Sequence, residues 1–173
     1  MENLELTTFI LKEKKYSIRD INKIDTSQFI SIKDISQLDP DKLDRDYIDG
    51  VLYMKFNGET FMDFTFWDDI VDLWHYFINS LEEVIIQDES NFSFPSQPLP
   101  VSIKIVKDRI RMVIDDKSIN MKADQFLEVM LREAITFFTA MMSLFPRQEA
   151  EFYQTILRIY KIKLSSEERF TAY

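Results

Sequence analysis

Residues 51–86 read VLYMKFNGETFMDFTFWDDIVDLWHYFINSLEEVII, and this stretch decides the fold. Residues 51–56 and 59–64 are rich in aromatic and large apolar side chains, as strands are. The Asn57-Gly58 pair between them suits a tight type I′ turn, where both central residues need positive φ. A β-hairpin is therefore expected. Behind it Trp67, Ile70, Val71, Trp74, Phe77, Ile78, Leu81 and Ile85 recur every three or four residues, the period of one helical face. That spacing predicts a helix over residues 67–86, with Thr65, three residues before Asp68, as its N-terminal cap.

Toward the N-terminus, residues 4–11 and 16–21 flank Lys12, Glu13, Lys14 and Lys15, which predicts a hairpin with a charged turn. Phe29, Ile30, Ile32 and Ile35 suggest a short strand, and residues 39–50 an Asp-rich loop containing Pro40. Toward the C-terminus, residues 87–100 contain Pro95, Pro98 and Pro100, which remove backbone donors and bias their predecessors to extended geometry. An ordered, extended crossover is expected there. Residues 101–106 and 110–114 flank Lys107, Asp108 and Arg109. Val101, Ile103 and Ile105 alternate with Ser102 and Lys104, so this hairpin has one buried face and one wet face. Asp124 is expected to cap a long helix carrying Phe126, Val129, Met130, Ala134, Phe137, Phe138, Met141 and Leu144 and ending near Pro146. A third helix is expected over residues 147–162, with Phe152, Tyr153, Ile156, Leu157 and Tyr160 on its apolar stripe. Residues 165–173 read as a frayed tail. The expected whole is a single α+β domain over residues 1–173, an antiparallel sheet built from β-hairpins with two or three helices packed on one face. Its segments are 1–50, 51–86, 87–100, 101–164 and 165–173.

A chain of 173 residues that is 46% apolar and 14% aromatic has enough apolar surface to offset the entropy of ordering. The opening residues 1–11 hold two glutamates and no basic residue, which does not read as a signal peptide. Apolar runs are interrupted by charge well short of the ~20 residues a membrane helix needs, so no membrane contact is expected. Cysteine is absent, which excludes disulfides and thiolate chemistry and makes the cytoplasm the expected location. The net charge of −9 argues against nucleic-acid binding. Residues 51–100 carry one basic and nine acidic side chains, whereas residues 101–173 carry twelve basic and ten acidic ones.

With only Gly50 and Gly58, neither a phosphate-cradling loop nor a dinucleotide fingerprint can be built, and the sole histidine, His75, rules out a two-histidine zinc motif. No catalytic residue, metal or cofactor is expected. Asp68, Asp72 and His75, spaced i, i+4 and i+7, would share one helical face and could serve a metal-dependent or acid/base hydrolase. The favoured reading of that face is a solvated one, since an amphipathic helix has a polar side in any case. The aspartates 39, 41, 44, 46 and 49 do not match the ligand positions of a calcium loop. Met141, Met142, Phe137 and Phe138 read as core rather than as a soft binding groove. The predicted helix over 67–86 contains no Lys or Arg, yet Glu82 and Glu83 stand in its last turns, where the helix dipole disfavours them. With Asp72, Asp88 and Glu89 they form an acidic ridge without nearby i,i+4 partners.

Residues 58–81, GETFMDFTFWDDIVDLWHYFINSL, together with residues 92–105, FSFPSQPLPVSIKI, resemble small bacterial proteins encoded beside secreted polymorphic toxins. The resemblance implies an immunity protein, a cytoplasmic inhibitor that binds one toxin and blocks it. The expected function is thus protein binding through an acidic surface, with Asp68, Asp72, His75, Glu82, Glu83, Asp88 and Glu89 as candidate contacts for a basic partner. An acidic regulatory or phage-encoded binding subunit is the remaining alternative.

Overall fold

The computed structural model describes residues 2–13 and 24–171. The first antiparallel sheet contains β1 (Leu4–Leu11), β2 (Phe29–Ser31), β3 (Asp49–Phe56) and β4 (Glu59–Met62) in the order β2-β1-β3-β4, with β5 (Trp67–Asp69) also paired to β3. At the β3–β4 turn φ is 52° at Asn57 and 85° at Gly58, the backbone that an Asn-Gly pair is suited to supply. The observed partners of β1 are β2 and β3, with Leu11 opposite Phe29 and Leu6 opposite Met54. The expected strand over residues 16–21 lies outside the described residues. Ile32 and Ile35 do not extend β2. The Ser31 hydroxyl accepts from the Lys33 N–H and starts a 3-10 turn over Ile32–Gln37 instead.

The first helix, α1 (Ile70–Gln87), begins three residues later than the apolar period predicts. Trp67, Asp68 and Asp69 instead pair with Val51, Gly50 and Asp49 of β3. Asp69 is the N-cap, its carboxylate accepting from the N–H groups of Val71 and Asp72 at 3.1 and 3.2 Å. Thr65 belongs to a separate 3-10 turn capped by Asp63. The chain passes so tightly here that a Cβ at Gly50 would lie 2.5 Å from the Phe9 carbonyl oxygen and 2.7 Å from Ile70 Cβ.

The second antiparallel sheet runs β6 (Glu89–Ser93), β7 (Pro100–Val106), β8 (Arg109–Ile114) and β9 (Lys117–Lys122) in that order. The β7–β8 hairpin is as expected. The strand β6 occupies the start of the expected crossover, and β9 follows a turn with φ 54° at Asp115. Next, α2 (Ala123–Leu144) starts one residue before Asp124, which therefore lies in the first turn and is not the cap. The final helix, α3 (Glu149–Thr171), takes in most of the expected frayed tail.

One apolar cluster unites both sheets and the helices, which cover one face of each sheet. Trp74 and Phe77 from α1 and Phe126, Phe137 and Phe138 from α2 are fully buried in it. Met54 and Met62 of the first sheet and Ile103, Ile110 and Met112 of the second complete its floor. Met141 is buried and Met142 half-buried, so the methionine-aromatic set is core. The buried Glu133 of α2 accepts from the Thr8 N–H at 2.8 Å, and Trp74 Nε1 donates to the Thr8 hydroxyl at 3.3 Å. The fold is α+β.

Candidate protein-binding surface

The structure separates the trio Asp68, Asp72 and His75. Asp68 sits on β5 with no exposed surface, and both its carboxylate oxygens accept from the Ser96 N–H at 3.0 Å. It also accepts from the Asp69 N–H at 2.7 Å, so its work is to pin the proline-bearing loop to the start of α1. Asp72 faces outward. His75 is half-buried, its ring 5.1 Å from that of Phe138, and burial holds its pKa down, with Asp72 and Glu151 opposing. Among the described residues no group of three His, Asp or Glu side chains is arranged to hold a metal ion.

The acidic ridge acquires its counter-charge from distant elements. Arg158 of α3 donates to Glu82 through Nε at 3.2 Å and through Nη2, while its Nη1 donates to Asn79 at 2.7 Å. Glu83 accepts from the Ser90 hydroxyl at 2.5 Å. Asp88, whose φ of 67° ends α1, accepts from Arg169, whose other Nη donates to the Ile85 carbonyl. Glu89 pairs with Lys104 at 3.6 Å. The positive charge that the C-terminal end of α1 calls for is therefore supplied by α3, from sequence positions 76 to 84 residues away.

The exposed outer side of α1 is a row at helical spacing: Asp72, Tyr76, Asn79, Glu83 and Ile86. Tyr76 is 42% and Ile86 73% accessible, so two apolar side chains stand among two carboxylates on a helix without its own cations. Sequence reasoning passes over Tyr76 and Ile86. The usable signal is that both are large apolar residues falling off the period of the buried set Ile70, Leu73, Trp74, Phe77, Leu81 and Val84. A comparable misfit occurs on α3, where Phe152, Ile156, Ile159 and Ile162 are buried while Tyr153, Leu157, Tyr160 and Leu164 form an exposed second stripe. The sequence reading merges these two stripes into one.

Behind the base of α1, Asp49 and Asp69 are direct cross-strand partners. One Asp49 oxygen, Oδ1, is enclosed without a donor, and the nearby Trp67 Nε1 is enclosed without an acceptor. Asp49 is pushed up to about 6, first by burial and then by Asp69 and Asp68. Asp69 also rises to about 6 through burial, its cap hydrogen bonds pulling the other way. Among the described residues no single helix is long and apolar enough to cross a membrane. No protein-family model matches the chain, and no curated protein or solved structure matches it either.

Proposed function

We propose that the chain is a protein-binding module, acting as a stoichiometric inhibitor of the toxin-immunity type through the outer face of α1. The observation that carries this reading is the pair Tyr76 and Ile86, exposed in one row with Asp72 and Glu83 on one helical face. Protein contacts centre on a few aromatic or aliphatic anchors within a polar rim, and carboxylates in that rim speed encounter with a basic partner and fix its register. Inhibition would proceed by occlusion, with no catalytic step by this chain. Because Asp68 is buried and Glu82, Asp88 and Glu89 are ion-paired with cations of the chain, the proposed contact narrows to the exposed row Asp72, Tyr76, Asn79, Glu83 and Ile86, in which Asn79 and Glu83 also accept from Arg158 and Ser90, with His75 at its border. A cytoplasmic location and a basic toxin as partner belong to the same proposal. They rest on the cysteine-free composition, the acidity of residues 51–100 and the resemblance carried by residues 58–81 and 92–105.

The test reverses Asp72 and Glu83 to Lys together and leaves Glu82 in place, since reversing Glu82 would strand Arg158 and disturb the fold. Partner captured from the native host is measured at low and raised salt, with thermal melting as the fold control. The expected result is a loss of affinity of about tenfold or more at low salt that narrows as salt screens it. Equal capture by both proteins at every salt concentration would remove this face from the proposal.

A further inference from the structure

The outer face of the second sheet breaks a local rule of strand pairing. Lys104 stands directly opposite Arg111, and Arg109 directly opposite Lys122, so two like-charged cross-strand pairs share one wet face. Neighbouring strands lie about 4.8 Å apart and alternate residues about 6.8 Å apart, which places all four cations within a patch of roughly 7 by 10 Å. Such pairs destabilise a sheet unless something answers them. One pair is answered within the chain: Glu2 accepts from Arg109 Nη2 at 2.5 Å and from the Lys122 backbone N–H at 3.0 Å. That seat is built, since Asn120 holds the Arg109 guanidinium through its side-chain oxygen and its carbonyl, each at 2.9 Å. The other pair is answered only by Glu89, 3.6 Å from Lys104, and Arg111 is exposed with no counter-ion among the described residues.

We infer that this face docks an extended acidic segment of another protein, its alternate carboxylates meeting Arg111 and Lys104 in one row and Lys122 beside the Glu2 seat in the next. The spacing fits because side chains i and i+2 of an extended chain point the same way about 6.8 Å apart, the separation of the two cation rows. Glu2 supplies the precedent within the molecule, a carboxylate from a chain segment seated on these strands. A carboxylate partner is favoured over a phosphodiester one. The exposed side chains of this face, among them Asn91, Ser118 and Asn120, include no aromatic ring on which a base could stack. This surface is separate from the outer face of α1, so the inference stands or falls independently of the proposed inhibitor role.

The test uses the full chain and two probes at low salt: a synthetic peptide with Glu at every second position, and a single-stranded oligonucleotide of equal charge. Binding is read by fluorescence anisotropy, and its location by amide shifts of β7, β8 and β9. The expected result is that the peptide binds, shifts those strands, and is weakened about fivefold by Arg111→Gln and again by Lys104→Gln, both variants melting as the parent does. No peptide binding, equal binding by Arg111→Gln, or tighter binding of the oligonucleotide would each overturn the inference. So would concentration-dependent self-association that Arg111→Gln abolishes while the peptide fails to bind.

Discussion

Asp49 and Asp69 face each other across the β3–β5 ladder with no cation between them among the described residues, and Tyr47, Asp68 and Asp72 around them add only neutral or negative groups. Both carboxyls are pushed to about 6 in the folded chain, whereas an unfolded aspartate titrates near its ordinary value of ~3.9. The native state therefore holds more protons between roughly pH 4 and 6, so these groups favour folding most at the acid end of that window and least above it. Asp49→Asn keeps the shape and removes one charge. It should raise the denaturation midpoint at pH 7.5 relative to the parent, and the gap should close by about pH 4.5. A gap that persists or widens at low pH would show that the two carboxylates do not repel in this way. The sequence makes the aspartates of residues 39–50 visible as a group, but it cannot separate Asp49 from the rest. Asp39 and Asp44 bond the backbone two residues on, as turn aspartates do, whereas Asp49 alone is carried into a ladder opposite another acid.

Elements whose own residues encode them are legible. Asn57-Gly58 specifies its turn, and the strict alternation of Val101, Ile103 and Ile105 specifies β7. Elements whose limits are set by partners are not. The period that marks α1 runs on into Trp67, but pairing with β3 extends residues 67–69 and passes the cap to Asp69. The short, largely polar β6 and β9 gain their strand character from the sheet they join. The end of α3 depends on α1 in the same manner, and α1 on α3, through Arg169. Arg169→Ala should lower stability by about 1 kcal/mol, because the last turn of α1 loses its cation and a carbonyl partner together. Hydrogen exchange should accelerate at residues 84–88 and 165–171 while the core strands stay unchanged. Arg169→Lys should recover only part of the loss, since an ammonium cannot serve Ile85 and Asp88 with a planar fork. Unaltered exchange at both helix ends in Arg169→Ala would mean that the guanidinium does not clamp them.

At the scale of the whole molecule the charge pattern of the sequence is redistributed by folding. Residues 51–100 look uniformly acidic along the chain, yet cations from residues 101–173 neutralise Glu82, Asp88 and Glu89 in space. The acidic character thus survives mainly as the Asp72, Tyr76, Glu83 and Ile86 face, and on the opposite kind of surface, the open sheet, a like-charged pair emerges whose Arg111 has no counter-ion among the described residues. Neither is legible in a linear count, because both depend on which distant side chains meet. Three exposed tyrosines mark the competing surfaces: Tyr76 on α1, and Tyr153 and Tyr160 on the second stripe of α3. Hydroxyl-radical footprinting of the partner-bound chain against the free chain reads all three at once. The account predicts that Tyr76 and Ile86 become protected while Tyr153 and Tyr160 keep their free-state reactivity. Protection of Tyr153 and Tyr160 with Tyr76 unchanged would contradict it.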